Sequence, residues 1–348
     1  MTIVAASLTV TPFAGTSAEW DSFVRQQRDW THFHLLGWRT VIERTFAHEC
    51  IYLAARDESG SLRGVLPLVR VRSVVFGHYL VSMPFVNYGG PLGDREAETA
   101  LVEHAAELAE RDAVGLLELR SRTPLPVTLP VSHRKITVLL DLPAGDPDAL
   151  WKGFDAKVRS QVRRPQKEGV TVRFGRDQVG AFFRVFSHHM RDLGTPTQSR
   201  QFFENIAATF PQEVVWFGCA YLGERPIACG CGFRWGHEFE MTWASALREF
   251  NRTSPNMLLY WAFMERATRE GLTTFNFGRC SPGGGTHRFK LQWGSREEPL
   301  WWYGLARREG ISTPSPDDGA YAWGPRVWRR LPVRVATAIG PRIVRFIP

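Results

Sequence analysis

The segment TFNFGRCSPGGGTHRFKLQWG, residues 274–294, passes from strand to glycine-rich loop to a lone lysine. Phe275 and Phe277 alternate with other residues, as a half-buried strand requires. Pro282 and the run Gly283 to Gly285 then form a loop that lets another backbone or a ligand approach closely. Phe289-Lys290 and Trp293-Gly294 follow. The chain has 5 lysines against 38 arginines, so Lys290 reflects no general preference for lysine. It stands between Phe289, Leu291 and Trp293. A partly buried ammonium needs a negative partner, and the oxygen of a carbonyl under attack is one such partner. The competing reading is a lysine whose stem lies along apolar surface with its head in water.

Working outward from this segment, the second half reads as helices near 148–164, 178–193 and 199–209, with Pro165 ending the first. A hairpin (214–222 and 226–235), a strand (238–245), a helix (256–270) and strands at 274–279 and 299–306 follow. The first half carries two helical pieces in 16–47, a hairpin (51–57 and 62–71), a strand (80–85), the loop NYGGPLGD (87–94), a helix (96–111) and strands at 116–121 and 135–142. The order hairpin, strand, loop, helix, strand recurs at a spacing of about 160 residues. This predicts an α/β fold with mixed sheets, built as two tandem domains over 1–145 and 146–310, plus a tail over 311–348.

A length of 348 residues exceeds one ordinary core and agrees with two domains. The formal charge of +8 favours an anionic partner, although arginine-rich chains are also basic by composition. The five cysteines, Cys50, Cys219, Cys229, Cys231 and Cys280, fit no zinc spacing and indicate a reducing, cytoplasmic setting. No resident metal or cofactor is expected, because no P-loop, GxGxxG, GxSxG or HExxH pattern occurs. Gly230 and Gly232 alternate with Cys229 and Cys231, which points to close backbone packing.

Positive charge is concentrated in two places. From Lys152 to Arg176 there are eight basic residues and, with Asp177 just outside, three acidic ones. Arg159, Arg163 and Arg164 are the phosphate-binding candidates of this segment. From Gly319 to Pro348 there are six arginines and no acidic residue, interleaved with apolar side chains. Such a tail either lies on an anionic membrane surface or packs on the body with its arginines in solvent; Pro332 and Pro341 argue against one long interfacial helix.

The segments MPFVNYGG (83–90), KVRSQVRR (157–164), MRDLGTP (190–196), FNFGR (275–279) and HRFKLQWG (287–294) together resemble the FemAB-like branch of the GNAT superfamily. The nearest resemblance is to the type associated with PEP-CTERM/exosortase and exopolysaccharide systems. HRFKLQWG is similar to the FK-x-x-[FW]-G signature of Fem aminoacyltransferases. The resemblance implies tandem acyltransferase domains with a cleft between them. It implies transfer of an acyl or aminoacyl group to an amine of a small-molecule or lipid-linked cell-envelope precursor, at the cytoplasmic face of the membrane. Phe289 and Lys290 inherit the catalytic role, with Lys290 stabilising the oxyanion. Asn87, Tyr88, Arg279, Ser281 and His287 are the implied substrate contacts. The donor would be a co-substrate: aminoacyl-tRNA, acyl-CoA or acyl carrier protein. Two departures bear on it. The coiled-coil arm of some Fem proteins is missing, and no Q/R-x-x-G-x-G/A run precedes the 256–270 helix. A non-catalytic GNAT-like module of an envelope-polymer pathway is the alternative from another class.

Overall fold

A computed structural model describes residues 8–308 and 323–348. The chain divides into two compact units, residues 1–133 with 299–315 and 345–348, and residues 134–298 with 316–344.

In the first unit, β1 (Thr9–Pro12) precedes α1 (Ser17–Gln26), which Thr16 caps by accepting from the Glu19 N–H at 3.2 Å. α2 (Gly37–Phe46) leads into the hairpin β2 (Glu49–Arg56) and β3 (Leu62–Ser73). β4 (Gly77–Ser82), β5 (Leu92–Gly93), α3 (Arg95–Arg111), β6 (Leu116–Ser121) and β7 (Val131–Ser132) follow. The sheet runs β1-β2-β3-β4-β6-β15-β7, with β5 on β3; its member from late in the chain is β15 (Trp301–Ala306). β4 and β6 are parallel and the other pairs antiparallel. The helical period of α3 places Leu101, Ala105 and Leu108 against Leu53, Leu66, Leu80 and Leu117 of the sheet. The strand expected over 80–85 stops at Ser82, because Met83 and Phe85 take positive φ (52° and 71°), which an extended ladder cannot accommodate.

The second unit opens with β8 (Ile136–Asp141), α4 (Pro147–Gly153), α5 (Ala156–Lys167), β9 (Val170–Phe174), α6 (Val179–Leu193) and α7 (Arg200–Thr209). It continues with β10 (Val215–Leu222), β11 (Arg225–Trp235), β12 (Glu238–Ala246), α8 (Pro255–Arg269), β13 (Thr274–Cys280), α9 (Gly285–Leu291) and β14 (Arg296–Pro299). The sheet order is β14-β8-β13-β12-β11-β10-β9. α8 buries Leu259, Phe263 and Met264 in one core with Trp216, Phe239 and Phe275, each such side chain contributing about 1.5–3 kcal/mol. A second aromatic cluster joins Phe182 and Phe186 of α6, Phe203 of α7 and Phe217 of β10. The helix expected over 148–164 is two helices broken at Phe154. Pro165 lies inside α5 rather than ending it. Its missing N–H removes only one bond, and its ring is buried on the apolar side of the helix.

The repeated order is present in both units: β2-β3-β4-α3-β6 and β10-β11-β12-α8-β13, with the strands flanking the helix parallel each time. The expected division at 145/146 differs from the observed one. β8 joins the second sheet beside β13, and β15 joins the first beside β6, so each sheet completes itself with a strand from the other side of that boundary.

Of the tail, 309–322 lies outside the described residues. α10 (Trp323–Trp328) and α11 (Val333–Val344) pack on α6. Pro332 separates the two helices as expected, but Pro341 sits within α11 instead of interrupting it. Among the described residues no helix is long and apolar enough to cross a membrane.

The paired glycines of β11 do serve close packing. A Cβ on Gly232 would lie 2.2 Å from the Glu240 carbonyl oxygen and 2.5 Å from the Phe239 ring, where β11 is irregularly registered against β12. Gly232→Ala is therefore expected to lose about 3 kcal/mol in urea denaturation. Gly153→Ala, with open space around it, should leave the midpoint unchanged. Equal midpoints for the two variants would refute this reading of the strand.

Candidate active site

β12 and β13 run parallel through three pairs, Glu238 with Thr274, Phe239 with Phe275 and Glu240 with Asn276. Their pairing stops there, although β12 continues on β11 to Ala246 and β13 continues on β8 to Cys280. The two strands thus part at Glu240 and Asn276. Beyond that point the Gly278 N–H is taken up by Asn276 and the Gly278 and Arg279 carbonyls by Lys290.

Asn276 organises the parting. Its Oδ1 accepts from Thr137 Oγ1 at 2.7 Å and from the Gly278 N–H at 2.7 Å. Its Nδ2 donates to Glu238 at 2.7 Å and to Glu240 at 3.4 Å. Asn276 and Glu240 are both fully buried, so these bonds replace water that neither group can reach. The register of β13 on β8 shifts between Asn276 and Arg279, and Gly278 there takes φ +71°. Glycine adopts that conformation without steric cost, which fits its place in the bulge.

Lys290 completes the other side of the bulge. The glycine run expected to be a loop starts a helix at Gly285, and α9 brings Lys290 back over the end of β13. Its Nζ donates to the Gly278 carbonyl at 2.6 Å and to the Arg279 carbonyl at 3.0 Å. Only 2% of the residue is exposed. The solvent-facing reading of this lysine is therefore set aside. Burial brings its pKa down to about 8, against the pull of nearby Cys280 and Glu240 toward the charged form. Burial likewise raises the Cys280 thiol, and the Lys290 ammonium draws it back.

The other expected residues divide into groups. Arg279, Ser281 and His287 do surround the same loop. Ser281 Oγ accepts from Lys135 at 2.6 Å. His287 Nδ1 accepts from the Gly283 N–H at 3.0 Å and its Nε2 lies 2.8 Å from Glu297, so both ring nitrogens hold the loop in place. Asn87 and Tyr88 are buried in the first unit, where Tyr88 packs edge-on to Phe33 and under Arg122. Each arginine of α5 has an intramolecular partner. Arg159 donates to the Phe154 carbonyl and, at 3.1 Å, to the Lys152 carbonyl, closing the end of α4. Arg163 lies over Trp151 at 5.2 Å, and Arg164 pairs with Glu168 at 3.8 Å.

A cavity of about 240 Å³ opens at the start of α8. Gln161, Ala246, Asn256, Met257, Phe289 and Gln292 are among its walls. Two buried side-chain oxygens in that wall, Gln161 Oε1 and Asn256 Oδ1, have no hydrogen-bond partner among the described residues. Ser254 precedes α8 with φ +59° and makes no side-chain cap, leaving the positive end of the helix dipole uncapped there. Sequence reasoning missed Asn276, Glu240, Gln161 and Asn256. The available signals were a polar residue in an apolar strand at 276 and a glutamine among the arginines of α5.

Residues 153–291 match the family described as Acetyltransferase (GNAT) domain. That stretch, which lies within the second unit, is similar to a GNAT acetyltransferase domain. The fold of the whole chain is similar to that of FemX, with 16% identity, a TM-score of 0.63, and coverage of 85% of this chain and 97% of that one. It is also similar to the C-terminal domain of a putative lysylphosphatidylglycerol synthetase from Agrobacterium fabrum (16% identity, TM-score 0.58, coverage 88% and 92%). A tandem GNAT protein from the clavulanic acid biosynthesis pathway follows (13% identity, TM-score 0.54, coverage 88% and 100%). No curated protein matches the sequence. The expected mixed α/β architecture agrees with the fold of these structures, the tandem GNAT protein among them.

Proposed function

We propose that the protein forms an amide by transferring an acyl or aminoacyl group to an amine of a cell-envelope precursor, peptidoglycan-like or linked to exopolysaccharide. The observation that carries this reading is the parting of β12 and β13 beside the buried Lys290. The amine nitrogen attacks the donor carbonyl carbon, and the C–S or C–O bond to the carrier breaks. The amine's proton passes to the departing sulfur or oxygen. Lys290, held at the end of β13, turns an N–H toward the oxygen as its charge develops, and Phe289 shapes the pocket around it. The similarity to a protein named for lysylphosphatidylglycerol supports an aminoacyl group and a lipid-linked acceptor. Substrate contacts at Arg279, Ser281 and His287 belong to this proposal, as does a phosphate contact from Arg163 and Arg164.

A second reading of the donor is favoured by Gln161 and Asn256. Two unpartnered acceptors in one wall suit a ligand bearing amide N–H groups, and the start of α8 suits a phosphate. Both features fit a phosphopantetheinyl thioester, free as acyl-CoA or on a carrier protein, better than the end of a tRNA. Titration of the full chain with CoA, a phosphopantetheinylated carrier protein and deacylated tRNA tests it. Gln161→Leu with Asn256→Leu should weaken the thioester carriers at least tenfold and leave tRNA unaffected. Binding of tRNA alone would return the donor to aminoacyl-tRNA. Binding of none of the three would remove the transferase reading.

A further inference from the structure

The two tail helices have an inner and an outer face of unlike purpose. On the inner face Ala336 and Gly340 of α11 are buried, and a Cβ on Gly340 would come within 3.1 Å of the Thr197 backbone. Arg329 donates to the Leu193 carbonyl at 3.1 Å, and Arg191 donates to the Leu331 carbonyl at 2.9 Å. α10 and α11 are thus fixed to α6 by small residues and by hydrogen bonds to carbonyls. The outer face of α11 consists of Arg334, Val335, Ala338, Ile339 and Arg342, all exposed and spaced to share one side of a helix. α10 adds exposed Arg326 and Val327, and exposed Arg330 follows in the turn after it. Val335 and Ile339 are 39% and 40% exposed, and Val327 is 53% exposed. A face meant only for water would carry polar residues at these positions, because the helices already have an apolar side for the body.

We propose that this outer face docks on a bilayer surface bearing anionic headgroups, independently of the chemistry of transfer. Val327, Val335 and Ile339 enter the headgroup region, and the flanking arginines meet lipid phosphates. Charge selects the occupant. Exposed Arg326, Arg330, Arg334 and Arg342, with no acidic residue from Gly319 to Pro348, would repel the same face of a second copy. A nucleic acid would meet the arginines but gives aliphatic side chains nothing to bury in.

The test is co-sedimentation of the full chain with vesicles of phosphatidylglycerol mixed with phosphatidylcholine, and of phosphatidylcholine alone. The wild type should bind the anionic vesicles at least tenfold more tightly. Arg334→Gln with Arg342→Gln should lose about fivefold per arginine. Val335→Glu with Ile339→Glu should abolish sedimentation while circular dichroism and Tm stay native. Unchanged binding by either double variant overturns the proposal. So does a wild type indifferent to headgroup charge. A dimer in light scattering that Val335→Glu with Ile339→Glu converts to monomer, without vesicle binding, assigns the face to a second copy instead.

Discussion

Lys290→Gln is expected to lower the rate of acyl transfer by on the order of 100-fold or more while leaving the fold intact. The argument rests on what each side chain can still do. The amide of glutamine retains N–H donors for the Gly278 and Arg279 carbonyls, which Lys290 holds at 2.6 Å and 3.0 Å. It has no positive charge to offer a developing oxyanion. A clamp that only fixes the β13 bulge would tolerate the change, so kcat would stay near wild type with a native Tm. An electrostatic catalyst loses kcat with little change in KM, because the interaction is made only in the transition state. Steady-state kinetics of the variant beside a thermal melt separates the two roles.

The second large effect lies in the pH dependence of stability. Burial lowers the Lys290 pKa from 10.5 to about 8, so the folded state binds its proton less firmly than the unfolded chain does. Below pH 8 the fold bears the full cost of a buried ammonium. Between about pH 8 and 10.5 the unfolded chain holds more protons, so stability contributed through this group rises with pH. A displacement of this size corresponds to about 3 kcal/mol. Lys290→Met removes the titration altogether. The difference in unfolding free energy between wild type and Lys290→Met should therefore shift by about 3 kcal/mol in favour of wild type from pH 7.5 to pH 10.5. Titrating groups remote from Lys290 are common to both proteins and cancel in the difference, and pairing each protein with a Cys280→Ser background removes the thiol that the ammonium draws down. A pH-independent difference would show that Lys290 is not desolvated as its position indicates.

Much of the architecture was legible because period and punctuation agree. Leu116–Ser121 was bounded correctly, since an apolar run between Gly115 and the proline-rich segment after it leaves few alternatives. The helix of Arg95–Arg111 was legible from one apolar stripe and an acidic first turn. The placement of β8 and β15 was not, because both are ordinary strands whose partners lie across the boundary, and no local pattern records which sheet a strand joins. α9 was missed because three consecutive glycines read as a loop, while the helix needs them only up to its first residue.

The site was legible in its lysine and not in its setting. Lys290 stood out by rarity and by apolar neighbours, and it is buried as a partnered ammonium must be. Asn276 was quoted within its strand and given no part, yet it touches Thr137, Glu238, Glu240 and Gly278. Its partners come from three strands, so spacing along one strand could not reveal them. Arg159 shows the converse. A basic helix suggested a phosphate, but this arginine closes the neighbouring helix by binding its terminal carbonyls.

The most direct measurement is mass spectrometry for an amide product. The full chain is incubated with an acyl-CoA, an acyl carrier protein or an aminoacyl-tRNA and a lipid-linked amine, beside Lys290→Gln. The account predicts an amide from the wild type with at least one donor and about a hundredfold less from the variant. Equal product from both proteins would contradict the role of Lys290, and no product with any donor would contradict the transferase itself.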